Sequence, residues 1–533
     1  MLRIAFIAPP LLALVILLVS VRTPLGPSAT IAVAPSFDGP QAAAYARRLA
    51  ERTPDRAPGT VTAQQAADQI AGSLAEASGE PVHRDVFRAP GPLGRDVRME
   101  NLWVIEPGSS DEAIVLIANR DDVSPGPGLD DNATGTAALV ELARDLSGVE
   151  RARSLVLAST DGGTVGQAGN EQLLFSLRAD GLRPVAVVSL SAIGGPTGSL
   201  PILFAGTGGV RTPEVLLKGL EESLNAQPAA GAAAPESPVL QVLDLIAPVE
   251  PSGAQVPFLD AGVAAIQLGN GDGGVGTEAI DDTRLGAVGS AIGTLLVRLD
   301  AEPRPSPPSG AYIAISGRVI PGRAIALLAI ALLVGPLYAV GRRLLLGGSP
   351  SRAGWSAALT VAVVGAIPGI VTVLIARGAN ALGGIDTPPG SNWPRAGWPT
   401  VALVVAAALL VFALAVYLLI RRRRAAPMPL IAAPAIGLIA AALLLAGSPA
   451  SVLIAAPALW LWTLVARPVE VLPRVVWALG PVVLMGLLIF LLRGADLATL
   501  VGAAGTGALP AALVVGGAVL IGAGAVAVFA SEE

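Results

Sequence analysis

Eight long uncharged stretches constrain this chain more than any other feature, because about 20 consecutive apolar residues cross roughly 30 Å of hydrocarbon. The first covers residues 4–21, IAFIAPPLLALVILLVSV. Seven more lie near 324–341, 355–376, 399–420, 428–446, 450–466, 475–492 and 508–530. Each of the seven is bounded by Arg, Gly, Pro or Trp, and Trp355, Trp393 and Trp398 stand at run ends, where interfacial rings belong. None of the runs contains Asp, Glu, Lys, Arg or His, which argues against a proton-coupled pump or transporter. Their Gly and Ala content suits close helix packing, so the bundle reads as an anchor or platform. Ala32-Val33-Ala34 resembles a signal-peptide cleavage site, but the apolar run is long for a signal and Pro35 follows directly, so the first run is read as an uncleaved anchor.

Eight spans put both termini on one side. With Arg3 cytoplasmic, the cytoplasmic loops hold Arg342, Arg343, Arg352, Arg421 to Arg424, Arg467 and Arg474, and the outer loops hold only Arg377, Arg395 and Arg493. This bias predicts a multi-pass plasma-membrane protein with both termini cytoplasmic and the segment between the first two spans outside the cytoplasm.

That segment has a different composition. The whole chain is 53% hydrophobic and 14% charged, against about 25% charged in soluble domains. Residues 1–323 hold 35 acidic and 23 basic residues, a net of −12, and residues 324–533 hold 5 and 12, a net of +7. An acidic exposed domain excludes nucleic acid as a natural partner and leaves membrane lipid and an envelope protein as the expected ones. There are no cysteines and a single histidine, His83, so disulfides, thiol nucleophiles and multi-histidine metal sites are excluded. The Ala-, Gly- and Arg-rich usage suggests a bacterial protein. The expected organisation is an anchor (1–23), a linker (24–39), a soluble domain (40–300), a Pro-rich linker (301–323) and a seven-span bundle (324–533).

Within 40–300, helical and strand patterns alternate. QQAADQIAGSLAEAS (64–78) has apolar residues at helical spacing, and TAALVELARDL (136–146) predicts a second helix with Asp131 and Asn132 as potential caps. AIVLIA (113–118), SLVLAS (154–159) and VAVVSL (185–190) are short apolar strands. The alternation predicts an α/β domain with a mostly parallel mixed sheet flanked by helices, joined to an all-α transmembrane bundle, with functional residues at the carboxyl ends of the strands. His83 reads as an exposed strand residue, and Asp281 with Asp282 as the cap of a helix over 283–299.

Those strand ends carry a motif. Residues 113–146, AIVLIANRDDVSPGPGLDDNATGTAALVELARDL, resemble the di-zinc aminopeptidase family (metallopeptidase family 28), in which a strand ends in His-x-Asp and a Gly-x-Asp-Asp-Asn-x-Ser-Gly loop precedes a helix. Arg56-Ala57-Pro58-Gly59 upstream and Val256-Pro257-Phe258 with Ala261-Gly262-Val263 downstream are similar to the family's flanking segments. The resemblance implies an aminopeptidase-like fold and assigns positions. The first histidine ligand falls on Asn119, the aspartate that orients it on Asp121, and the bridging aspartate on Asp130. The glutamate pair that supplies the general base and a ligand falls on Gly163 and Thr164. The next aspartate ligand falls on Ser191, and the last histidine on Glu278 or a neighbour. One clear ligand is left, so the implied site is vestigial: no catalytic residue, no zinc, and a weak calcium or magnesium site formed by Asp121, Asp122, Asp130, Asp131 and Asp161 as the alternative.

The layout of anchor, degenerate peptidase domain and helix bundle is similar to the peptidase-like membrane subunit of the transamidase that attaches lipid (GPI) anchors to proteins. The reading preferred is a non-catalytic binding or scaffold component of the cell envelope. A membrane-tethered zinc metallopeptidase with an atypical site and a transporter or lipid-handling protein are the alternatives.

Overall fold

The computed structural model describes residues 2–529 except positions 25, 27–35, 93, 123–127, 197, 247–250, 270–278, 309, 316, 347–350, 387–394, 422–427, 466, 467, 494–496 and 508–510. It opens with helix α1 (Leu2–Ser20). The soluble part then runs α2 (Gly39–Arg52), α3 (Val61–Ser78), β1 (His83–Pro90), β2 (Asp96–Glu106), β3 (Glu112–Asn119), α4 (Thr134–Asp145), β4 (Ser154–Thr160), α5 (Ala168–Ala179) and β5 (Arg183–Leu190). It continues with β6 (Leu200–Leu203), α6 (Glu214–Asn225), β7 (Ala233–Pro235), α7 (Pro238–Ile246), α8 (Val256–Asp260), β8 (Ala264–Leu268) and α9 (Asp282–Ala301).

Local chemistry explains most boundaries. Asp38 caps α2 by accepting from the Gln41 amide at 2.9 Å, and Thr60 caps α3 by accepting from Ala63 at 3.0 Å. Gly79, at φ 74°, closes α3 in the left-handed conformation that favours glycine. Asp281 caps α9 through the amides of Thr283 and Arg284, as expected. β3 and β5 are apolar without alternation because both faces are covered.

The eight strands form one mixed sheet in the order β1-β2-β4-β3-β5-β8-β6-β7. β4, β3, β5 and β8 run parallel, β1 and β2 form an antiparallel hairpin at one edge, and β6 is antiparallel to β8. Ile114, Leu116 and Ala118 of β3 face one core with α2, α3, α4, α6 and α9, while Val115 and Ile117 face the other with α5 and α8. Since α4 follows β3 on one face and α5 follows β4 on the other, a crevice opens at the carboxyl ends of these two strands.

The Pro-rich stretch before the second span ends in a hairpin of β9 (Tyr312–Ile315) and β10 (Arg318–Pro321). The remaining elements are α10 (Gly322–Leu346), α11 (Arg352–Ala381), a two-residue pairing of β11 (Ile385–Asp386) with β12 (Arg395–Ala396), α12 (Trp398–Arg421), α13 (Ala432–Gly447), α14 (Val452–Leu464), α15 (Val471–Arg493), α16 (Leu497–Thr506) and α17 (Ala511–Phe529). Among the described residues, α10, α11 and α17 are long and apolar enough to cross a membrane. The stretch near 450–466 yields only the 13 residues of α14, about 20 Å of helix, after a short turn at Pro449–Ser451. α16 was not anticipated from the sequence. Small residues let the helices touch: a Cβ on Gly522 of α17 would lie 2.3 Å from the Ala362 carbonyl oxygen of α11. Trp460 Nε1 of α14 donates to the Leu332 carbonyl of α10 at 2.8 Å.

Candidate functional site

The crevice residues come from the strand ends that the motif marks. β3 delivers Asn119, Arg120, Asp121 and Asp122, β4 delivers Asp161 and the loop through Thr164, and β5 delivers Ser191. The parallel register sets Asn119 opposite Thr160, so side chains at these two strand ends meet.

Asn119 turns inward. Its Oδ1 accepts from Thr160 Oγ1 at 2.6 Å and from Asn170 Nδ2 at 3.2 Å, and Asn170 also donates to Gln167 Oε1 at 2.7 Å. The carboxamide lies against Gly163, where an added Cβ would come within 2.2 Å of Asn119 Nδ2. A side chain at position 163 therefore needs the Asn119 carboxamide to shift.

Asp121 is fully buried. Its Oδ1 accepts from the Gly163 amide at 2.9 Å, and its Oδ2 accepts from the Thr164 amide at 2.8 Å and from the Thr164 hydroxyl. The carboxylate thus holds the loop after β4 by its backbone, and its negative charge is met by three donors.

Arg120 points to the other side of the strand. Its buried guanidinium donates to the carbonyls of Ser159, at 3.1 Å, and Glu100, and its Nη2 lies 3.2 Å from Asp161 Oδ2. Asp161 also accepts from the amides of Glu100 and Gly162. Burial pushes its carboxyl up to about 6, Arg120 opposing the rise and the neighbouring Asp121 adding to it. Removing either partner of such a buried pair costs about 3–5 kcal/mol, because the other charge is stranded.

The loop before α4 corrects one expectation. Asn132 is a potential helix cap by sequence, yet a π-helical turn, Leu129–Ala133, precedes α4, and Ala133 stands at the cap position with no side-chain cap bond. Asn132 instead adopts φ 72° and joins two strand ends: its Nδ2 donates to the Asp121 carbonyl, and its Oδ1 accepts from Ser191 Oγ at 3.3 Å. Asp130 lies on the same turn, but its side chain and that of Asp131 lie outside the described residues, as does Glu278.

The structure brings Asn119, Asp121, Gly163 and Thr164 together and links Ser191 to them through Asn132. It does not converge the described carboxylates on one point: Asp121 faces the loop amides, Asp161 faces Arg120, and Asp122 is buried beside the guanidinium of Arg56 near Gly128. Among the described residues, no group of three His, Cys, Asp or Glu side chains could hold a metal ion. Asn119, Asp121 and Ser191 are each hydrogen-bonded to neighbours within the chain. Sequence reasoning missed Thr160, Gln167 and Asn170. Their one signal is a cluster of polar residues beside apolar segments, which gains meaning only once β3 is laid against β4. His83 is an exposed residue of β1, as expected, and stacks on Trp103 with ring centroids 5.4 Å apart.

Residues 101–233 match the family model described as Peptidase family M28. No curated protein matches the chain. Among solved structures, the glutaminyl cyclase of an Acidobacteriales bacterium is similar at 19% identity, covering 51% of this chain and 99% of its own, with a TM-score of 0.41. The Porphyromonas gingivalis glutaminyl cyclase (16% identity, 50% and 98% covered, TM-score 0.40) and a leucine aminopeptidase precursor from Bacteroides thetaiotaomicron (17%, 50% and 98%, 0.40) are similar to the same extent.

Proposed function

We propose that this chain is a non-catalytic, membrane-anchored peptidase-like protein that serves as a binding or scaffold component at the cell envelope. The observation that supports the reading is the contact between Asn119 and Gly163, two positions at which the sequence resemblance places a metal ligand and a member of the glutamate pair: a Cβ on Gly163 would lie 2.2 Å from Asn119 Nδ2. Hydrolysis at a di-zinc centre needs carboxylate and imidazole ligands and a base to activate the bound water. Here Asp121 is spent on the Gly163 and Thr164 amides, and Ser191 on Asn132. Anchoring is supported by α10, α11 and α17, each long and apolar enough to span a bilayer.

The test is metal analysis of the purified full-length protein in detergent, alongside release of p-nitroaniline from amino-acid p-nitroanilides and cyclisation of amino-terminal glutamine. The expected outcome is less than one zinc per chain and neither activity. Two zinc ions per chain with turnover abolished by a chelator would overturn the reading in favour of a metallopeptidase.

A further inference from the structure

The polar residues of α7 are on the wrong side for a helix in water. Its sequence is PVLQVLDLI, and only Gln241 and Asp244 are polar. Gln241 is fully buried and bonds both main-chain groups of Ala314 in β9. Asp244 Oδ2 lies 3.7 Å from Nη2 of the buried Arg211. A helix beside water keeps its polar residues outward. α7 holds both of its own toward protein and leaves Pro238 and Val239 open, Val239 being 54% exposed, with Leu240 and Val242 half-buried. Its other side packs on the ends of the membrane helices. Leu243, Leu245 and Ile246 share a cluster with Ile325 of α10, and Ile16 and Leu17 of α1 pack against it. The Leu245 carbonyl accepts from Ser448 Oγ, in the turn between α13 and α14.

The β9–β10 hairpin lies beside α7 and separates two cores. Successive strand side chains point to opposite faces. Tyr312, Ala314 and Val319 face the core of the soluble domain, whereas Ile313 and Ile320 face the cluster shared with the membrane helices. Ile315 stands on the second face, two residues beyond Ile313, and is 38% exposed. Arg318 is its cross-strand partner, and Arg323 stands in the first turn of α10. Both arginines are exposed, and neither has an ion pair among the described residues. Open apolar side chains continuous with the spans, with unpaired arginines next to them, match the two layers of a bilayer surface: acyl chains, then phosphates.

We propose that α7 and the tip of the β9–β10 hairpin rest in the lipid of the leaflet on the domain's side. Val239, Leu240 and Ile315 enter its acyl layer, and Arg318 and Arg323 meet lipid phosphates. The soluble domain then sits directly on the bilayer instead of hanging from its linkers. The inference rests on the membrane-anchoring part of the reading above and is independent of the loss of catalysis.

The test exploits the absence of cysteine from the chain. Single cysteines replace Val239, Ile315, Val61 of α3 and Leu337 of α10, the last two 73% and 59% exposed. Each full-length variant carries an environment-sensitive fluorophore and is reconstituted in phosphatidylcholine vesicles. Quenching is read with a lipid bearing a nitroxide near the glycerol end of its acyl chain, and with aqueous iodide. The Val239→Cys and Ile315→Cys probes should be quenched by the nitroxide lipid at least about threefold more than the Val61→Cys probe, and by iodide correspondingly less. Equal quenching of all three by iodide, with Leu337→Cys still quenched by the nitroxide lipid, would overturn the seating and leave the anchoring intact. A Leu337→Cys probe that iodide reaches and the nitroxide lipid does not would overturn both. A Val239→Cys probe shielded from both quenchers would overturn the proposal in favour of a covering protein.

Discussion

A Cβ at position 163 overlaps the Asn119 carboxamide, so these two residues are coupled through volume. Gly163 is not among the glycines with positive φ, and backbone strain plays no part. Gly163→Ala should therefore destabilise the protein by about 1–3 kcal/mol, the usual cost of overpacking. In an Asn119→Ala background most of that loss should vanish, because contacting residues are not additive. Unfolding of the single and double variants in detergent measures the cycle, and equal losses in both backgrounds would refute the coupling. A second residue-level effect concerns Asp145. Its carboxyl is pushed up to about 6, first by burial and then by Glu141, with Arg144 opposing. The folded state thus holds the proton more tightly than the unfolded chain. The associated stability is fully present below about pH 4 and is lost as the pH rises through about 6. Asp145→Asn should raise the melting temperature by a few degrees at pH 7.5 and leave it unchanged at pH 4, as a pH series of melting curves would register. Neither effect was legible in the sequence. Residue identities at 119 and 163 are legible in the sequence, but that the two positions meet depends on how β3 and the loop after β4 are placed.

Among the elements, the β9–β10 hairpin changes the picture most. Arg22, just beyond α1, pairs with Val319 of β10 through two backbone hydrogen bonds, of 3.1 and 2.8 Å, and its side chain reaches Glu214 of α6 at 2.7 Å. Gln241 of α7 clamps β9 by donating to the Ala314 carbonyl at 3.0 Å and accepting from its amide at 2.7 Å. Leu243, Leu245 and Ile246 of α7 then share one apolar cluster with Ile313, Ile320, Ile325 and Ala450, which joins the soluble domain to the helices. Residues 312–321 fell within the predicted linker because a four-residue strand flanked by Pro and Gly reads as loop. A doubly hydrogen-bonded antiparallel pair has Cα atoms about 5.5 Å apart, within disulfide range. The chain contains no cysteine, so Arg22→Cys with Val319→Cys should form a single intramolecular bridge on mild oxidation. Proteolysis between the two positions followed by a non-reducing gel reads the outcome. Two separate fragments, or a purified chain lacking residues 1–21, would show that the first helix is not held as described.

For the molecule as a whole, the arginine bias of the loops predicts that the soluble domain lies outside the cytoplasm. An alkaline phosphatase fusion after Gly310 should be active and one after Gly347 inactive; the opposite pattern would reverse the topology. The sequence by itself determined the apolar runs, the α/β alternation of 40–300, the motif positions and the division of charge. Each of these is written in neighbouring residues: hydrophobicity summed over a window, periodicity along one element, residue type at a fixed spacing. The tertiary structure alone decided that Asn119 fills the space beside Gly163, that Asp121 accepts three hydrogen bonds from a loop after another strand, that Asn132 bridges strand ends instead of capping a helix, and that the first helix is tied to the hairpin before α10. The physical reason is the same in every case. Steric exclusion and hydrogen-bond saturation belong to points in space, and residues distant in the chain share such a point only after the register of β3 against β4, or of Arg22 against Val319, has been set.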